Sequence, residues 1–294
     1  MSVTAEAVKQ LRERTGAGMM ECKKALVETG GNLDAAAEMM RKQGLAKADK
    51  KATRIAAEGV IAMTKSADGR QATLVEVNCE TDFVAREADF QRFASEVAQA
   101  AATSGAPDVE TLAAAKLTNG QSVDEMRRGL VAKIGENISV RRLAHLATDG
   151  SLGAYMHGSR IGALVAMSGG DAALAHDLAM HVAASNPRYL TFADVPATEV
   201  ARERDILTER AKTSGKPAEI VAKMVEGQLR KAFNDVTLIG QAFVKDPEQT
   251  IEQLLKKAGA TVKGFSRLEV GAGIEKKQDD FVGEVMAQVK ASSK

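Results

Sequence analysis

A carboxylate and a phenyl ring stand side by side in Thr81-Asp82-Phe83-Val84, where a strand pattern gives way to a helix pattern. Asp82 can accept hydrogen bonds or compete for a cation, and Phe83 can enter an apolar slot. Together they suit a tip that docks into a partner and disturbs an anion or metal held there. Thr81 or Asp82 is a good N-cap for the helix that follows. Two readings of Phe83 stand at this point. Seven residues separate it from Phe90, so both rings can share one buried helical stripe. Alternatively, Phe83 is an exposed wedge on a strand-to-helix corner.

Other reactive side chains form no recognisable centre. Cys22 and Cys79 have neither metal-binding nor redox spacing and read as small buried apolar residues. His145, His157, His176 and His181 make no His-Glu-x-x-His pattern. His181 lies in an apolar helical stretch and is expected as a satisfied core residue, and His157 as a hydrogen-bonded loop residue. No Gly-x-x-x-x-Gly-Lys-Ser/Thr phosphate cradle occurs, so the chain is not expected to bind nucleotide itself, and no cofactor is expected. A net charge of +1 argues against a dedicated nucleic-acid binder. The basic run from Arg41 to Arg54 reads as a helix end followed by a solvated linker rather than an RNA contact.

The elements that must position the tip follow from periodicity. Alternating β-branched residues predict a strand over 72–77, and Phe90, Phe93, Ala94, Val97 and Ala101 predict a helix over about 84–102. Residues 4–43 read as three short helices broken at Thr15-Gly16-Ala17-Gly18 and Gly30-Gly31-Asn32. Met19 and Met20, beside a glycine turn, suit adaptable packing against a partner helix, with one expected inward and the other outward. Beyond the basic run, a strand–turn–strand–helix order recurs at 59–100 and 153–184, with helices near 108–116 and 123–134 between. The expected fold class is α+β: a duplicated core of short antiparallel sheets covered by helices. Apolar Val200 and Leu207, then Val221, Val225 and Leu229, predict an antiparallel coiled-coil hairpin turning at Ser214-Gly215-Lys216-Pro217. Strand-like sequence resumes at 236–239, followed by a helix over 250–257, a strand over 264–270 and a last helix over 279–291. The expected divisions are 1–54, 55–150, 151–189 with 239–273, 190–238 as an insertion, and 274–294.

Asn78-Cys79-Glu80-Thr81-Asp82-Phe83-Val84-Ala85 closely resembles the signature of bacterial translation elongation factor Ts. So, in family order, do residues 11–26, 131–138 (Val-Ala-Lys-Ile-Gly-Glu-Asn-Ile), 155–162 (Tyr-Met-His-Gly-Ser-Arg-Ile-Gly) and 214–227, so the resemblance spans nearly the whole chain. It implies a guanine nucleotide exchange factor that acts on elongation factor Tu and performs no covalent chemistry. It implies a ubiquitin-associated-like N-terminal module and a C-terminal helical module. It also assigns residues: Thr81, Asp82, Phe83 and Val84 to dislocating the partner's magnesium, and Lys9, Arg12, Met19, Met20, His157 and Val244 to partner contact. Ala242 and Lys245 stand where the family usually carries proline and an apolar residue.

A non-catalytic adaptor is the competing function class, and preference for the nucleotide-free partner separates the two. No apolar run reaches membrane-spanning length and no signal-peptide core stands at the N-terminus, so a cytoplasmic protein with no membrane partner is expected.

Overall fold

The computed structural model describes residues 3–212 and 217–275. The helix expected over 279–291, and with it the 274–294 module beyond residue 275, lies outside the described residues, as do Ser214, Gly215 and Lys216. Three helices come first: α1 (Ala5–Thr15), α2 (Met19–Glu28) and α3 (Leu33–Lys51). Thr4 and Asn32 cap α1 and α3 through their side chains, and Gly16 ends α1 in the left-handed conformation. Val8, Leu11, Cys22, Ala25, Leu26 and Ala36 close a small core among them. Met19 and Met20 both face solvent, at 59% and 76% exposure. The expectation that one turns inward fails because Cys22, Ala25 and Leu26 already form the inward face of α2.

The basic run is not a linker. α3 continues through it as one helix to Lys51. Its small residues carry the contact: a methyl at Gly44 would stand 3.0 Å from Ala132, and Ala48 is buried. Arg41, Lys42 and Lys50 stay in solvent, which is why the stretch looks like a solvated segment in sequence.

The chain then runs β1 (Glu58–Lys65), β2 (Gln71–Cys79), the single turn α4 (Asp82–Ala85), α5 (Ala88–Ser104), α6 (Val109–Ala114), α7 (Val123–Ile134) and β3 (Ser139–Ala147). Next come β4 (Ser151–His157), β5 (Ile161–Ser168), α8 (Ala172–Ser185), α9 (Ala197–Lys212), α10 (Ala218–Asn234), β6 (Ala242–Phe243), β7 (Asp246–Thr250), α11 (Ile251–Lys257) and β8 (Thr261–Glu269). This is an α+β fold with two three-stranded antiparallel sheets, ordered β1-β2-β3 and β4-β5-β8, and a small β6-β7 pair. The recurrent strand–strand–helix order is present in each half, completed by a third strand: β8, which the sequence announces over 264–270, in the second half, and β3, which it does not, in the first. In β3 the pattern is obscured by consecutive Arg141 and Arg142 at a bulge opposite Glu76 and Val77.

The two sheets stack face to face. Ile61, Leu74, Leu152, Leu164, Ala166 and Leu268 meet in that interface, and a methyl at Gly162 would lie 2.8 Å from Leu74, so the sheets approach closely there. The outer face of the first sheet is covered by Phe90, Phe93 and Val97 of α5 against Val60, Val75 and Val77. The outer face of the second is covered by Leu178, Ala179 and Val182 of α8 against Ala163, Val165 and Met167. Because β2 is covered on both sides, every residue from Ala72 to Cys79 is buried.

α9 and α10 pair through Leu207, Ala211, Val225, Leu229 and Phe233. Residues 236–239 form turns rather than the expected strand, with only Thr237 bridging to Tyr189. Their apolar character is explained by Leu238, which is buried in the second half's core beside α8.

Candidate partner-docking site

The Thr81-Asp82-Phe83-Val84 corner begins where β2 leaves the sheet. Thr81 Oγ1 accepts the N–H of Val84 at 3.4 Å and so caps α4. The helix expected over 84–102 is interrupted: α4 ends at Ala85, and α5 starts afresh at Ala88 with Glu87 as its N-cap. The interruption separates the two rings that spacing had placed on one stripe. Phe90 is fully buried beneath α5, whereas Phe83 is 78% exposed, the largest exposure of any bulky apolar side chain among the described residues. Val84, on the opposite side of the turn, packs into the first half's core. It anchors the corner rather than presenting a surface. Asp82 is half-exposed and pairs with Arg86 at 2.8 Å.

Beneath the corner, the α7–β3 turn supplies its fastening. Glu136 Oε2 accepts the backbone N–H groups of Glu80 and Thr81 at 3.1 and 3.0 Å, and Oε1 accepts the Thr81 hydroxyl at 2.6 Å. In return, Glu80 Oε1 accepts the N–H of Asn137 at 2.6 Å. Asn137 Nδ2 donates to the carbonyls of Ala52 and Arg54, and Lys51 Nζ donates to that of Gly135 at 2.6 Å. The end of α3 is thereby fixed to the same turn. Cys79 Sγ donates to the Thr81 carbonyl at 3.1 Å. Burial, with the charges of Glu136 and Glu58 adding to it, pushes the Cys79 thiol up to about 12, so it is an inert packing group.

The remaining expected contact residues fall into two further patches. Lys9, Arg12, Met19 and Met20 are all exposed on the N-terminal helices. The loop between α1 and α2 leans on the first half: a methyl at Gly16 would lie 3.3 Å from Lys133, whose amine pairs with Asp89 at the start of α5. His157 ends β4, at the same end of the stacked sheets as the corner. Glu58, which pairs across the ladder with Cys79, also binds Arg160 at 2.7 Å.

Val244 is exposed on the β6–β7 turn, and α8 holds that turn from below. His181 Nδ1 accepts the Val244 N–H at 3.2 Å, while Nε2 faces Gln241 Oε1 at 2.9 Å. The first contact requires an unprotonated Nδ1, which assigns the proton to Nε2. Burial lowers the His181 pKa, outweighing the hydrogen bond to Gln241, so the ring is a neutral core residue as its apolar surroundings suggest. Lys245 turns back onto both carboxylate oxygens of Asp177, at 3.0 and 2.9 Å. Tyr155 donates to or accepts from His157 at 3.2 Å and meets the edge of His176, which neighbours Asp177. A continuous run of contacts therefore joins His157 to the Val244 turn through Tyr155, His176, Asp177 and Lys245, a connection that sequence reasoning did not make. Glu136 and Asn137 were equally silent: both lie in a stretch that resembles the family, but only the folded geometry shows what they hold.

Among the described residues, no group of three or more His, Cys, Asp or Glu side chains could hold a metal ion. The corner offers an exposed ring and a half-exposed carboxylate on a hydrogen-bonded base.

The family model described as elongation factor TS matches residues 80–272. The elongation factor Ts of Methylococcus capsulatus is 57% identical over 293 residues, covering 99% of this chain and all of the relative. That of Idiomarina loihiensis is 56% identical over the full length of both, and that of Hydrogenovibrio crunogenus 54% identical over 99% of each. The chain belongs to the elongation factor Ts family. It is therefore a nucleotide exchange factor of translation elongation and not an enzyme that makes or breaks covalent bonds. Phe83, Met20 and Val244 are exposed apolar side chains on turns or at a helix start. No helix among the described residues is long and apolar enough to cross a membrane.

Proposed function

We propose that this chain binds elongation factor Tu carrying GDP, disrupts that partner's magnesium and phosphate contacts, and so promotes GDP release and replacement by GTP. The observation that carries the reading is the 78% exposure of Phe83 on a corner whose backbone is held by Glu136. A large apolar ring kept in water on a rigid base loses its unfavourable hydration only when a partner covers it. Phe83 enters between helices of the partner's nucleotide domain, and Asp82 binds partner groups exposed by the shift. Thr81 and Val84 support the turn. GDP is held chiefly through its phosphates and magnesium, so displacing their ligands is enough to release it. By linkage, a factor that prefers the nucleotide-free partner weakens nucleotide binding by the same factor.

Lys9, Arg12, Met19 and Met20 form a second contact, on a ubiquitin-associated-like module. His157 and Val244 form a third, on the second half. The α9–α10 pair acts as an inserted coiled coil that braces the complex. The chain binds no nucleotide, cofactor, nucleic acid or membrane itself, and it works in the cytoplasm.

The test is retention of elongation factor Tu on immobilised chain with and without GDP. Retention should be strongest without nucleotide, and added GDP should elute the partner. Retention indifferent to nucleotide would mark an adaptor and end this reading.

A further inference from the structure

We infer that Glu136 is a positioning residue for nucleotide exchange, acting through Thr81 to hold the Phe83 ring where it can insert. The inference rests on the proposed role of Phe83 and deepens it.

The geometry is specific to this carboxylate. Glu136 follows Gly135, which ends α7 with a φ of 92°, a left-handed conformation that glycine adopts without strain. That turn brings the side chain under the exit of β2. Both oxygens are used: one takes two consecutive backbone N–H groups, of Glu80 and Thr81, and the other takes the Thr81 hydroxyl. Three donors on one carboxylate fix the peptide planes of residues 80 and 81 and the rotamer of Thr81. The same Thr81 oxygen caps α4, the turn that carries Phe83. Between Glu136 and the ring lie only the cap and one helical turn.

Phe83 itself is held by little else, being largely in solvent. The direction of the ring is therefore inherited from the corner's backbone. A ring that must enter a slot gains from being aimed beforehand, because an unfixed corner loses conformational freedom on insertion. The turn bearing Glu136 is in turn fastened to the end of α3 by Lys51 and by Asn137. The corner is thus braced against the N-terminal helices as well as against the sheet.

A purely structural Glu136 makes a different prediction from a positioning one. Loss of fold lowers the fraction of competent factor, and added factor restores the maximal rate. Loss of aim lowers the maximal rate itself. The experiment measures release of a fluorescent GDP from elongation factor Tu across factor concentrations for the wild type, Glu136→Ala, Glu136→Gln, Phe83→Ala and the Glu136→Ala/Phe83→Ala double variant. Thermal midpoints are read alongside.

Glu136→Ala should lower the maximal rate about tenfold, with the half-saturating concentration little changed. Glu136→Gln keeps an acceptor for the two backbone N–H groups and should recover most of that loss. The double variant should lose little beyond Phe83→Ala, because Glu136 acts through the ring. If Glu136→Ala does not fold, Thr81→Val removes the hydroxyl link while leaving Glu136 in place and should show the same drop in maximal rate. An unchanged maximal rate in the folded Glu136 or Thr81 variant, with Phe83→Ala slow, overturns the inference and leaves the wedge standing. An unchanged maximal rate in Phe83→Ala removes the wedge itself.

Discussion

The carboxylate of Glu76, with no solvent exposure, lies 3.1 Å from the guanidinium of Arg141 and 2.5 Å from that of Arg142. The β3 bulge lets two consecutive arginines address one carboxylate. Glu76 also accepts the N–H of Gly271 at 2.8 Å, and the two guanidinium groups donate onward to the carbonyls of Ala272 and Glu269. The end of β8 in the second half is thereby tied to β2 and β3 in the first. This tie adds to the stacked sheets in joining the half that carries Phe83 to the half that carries His157 and Val244.

Removing that carboxylate leaves two arginines facing a buried gap. Glu76→Ala should destabilise the fold by roughly 3 kcal/mol at pH 7, measured by denaturant unfolding. Burial alone would raise the Glu76 pKa, but the hydrogen bonds from Arg142 and Gly271 outweigh it and hold the group below its ordinary value of 4.5. A depressed carboxylate contributes stability above its unfolded pKa and loses it as pH falls through the folded one. The gap between wild type and variant should therefore be full at pH 7 and narrow only in acid below about pH 4.5. A gap that widens on acidification contradicts the assignment.

His181 loses stability in the same direction, on acidification, but from a higher pH. Its pKa is lowered from 6.5 by burial, so the native state resists a proton that the unfolded chain accepts. Stability should fall as pH drops below about 6.5 towards the folded pKa. Protonation would also place a donor at Nδ1 against the Val244 N–H. The thermal midpoint of the wild type should drop between pH 7.5 and 5.5, and that of His181→Gln should drop less. Equal drops would show that His181 does not carry the effect.

The continuity of α3 changes what an N-terminal truncation tests. Deleting residues 1–40 should remove the Lys9–Met20 surface, weakening affinity for elongation factor Tu while leaving the maximal exchange rate. Deleting 1–53 also removes buried Ala48 and the Lys51 bond to Gly135, and should cost about 2 kcal/mol of stability in addition. Unfolding curves of the two truncations decide this; identical midpoints would mean that the end of α3 does not brace the core.

These experiments follow from features of unequal visibility in the sequence. The β2 strand, the Thr81 cap, the buried cysteines and neutral His181 are legible because each depends on local pattern or on residue type. The break between α4 and α5 is not, since no glycine or proline marks Arg86-Glu87. The Thr81 cap sets only where α4 starts, and Glu136 orients that cap from 55 residues away in sequence. Similarly, α3 looks like a linker beyond residue 43 because charge dominates its composition, while its contact rests on small Gly44 and Ala48. The β3 strand hides because a bulge places two arginines on one face. For α3 and β3, a long-range partner decides the local structure.

The central claim is that the exposed Phe83 ring performs the exchange. The direct measurement is the rate of labelled GDP release from elongation factor Tu at saturating Phe83→Ala, set beside its thermal midpoint. Loss of an aromatic anchor worth about 2 kcal/mol should slow release about thirtyfold, while the midpoint stays at the wild-type value because the ring contributes little to the core. A variant that is equally stable and releases GDP at the wild-type rate would contradict the account.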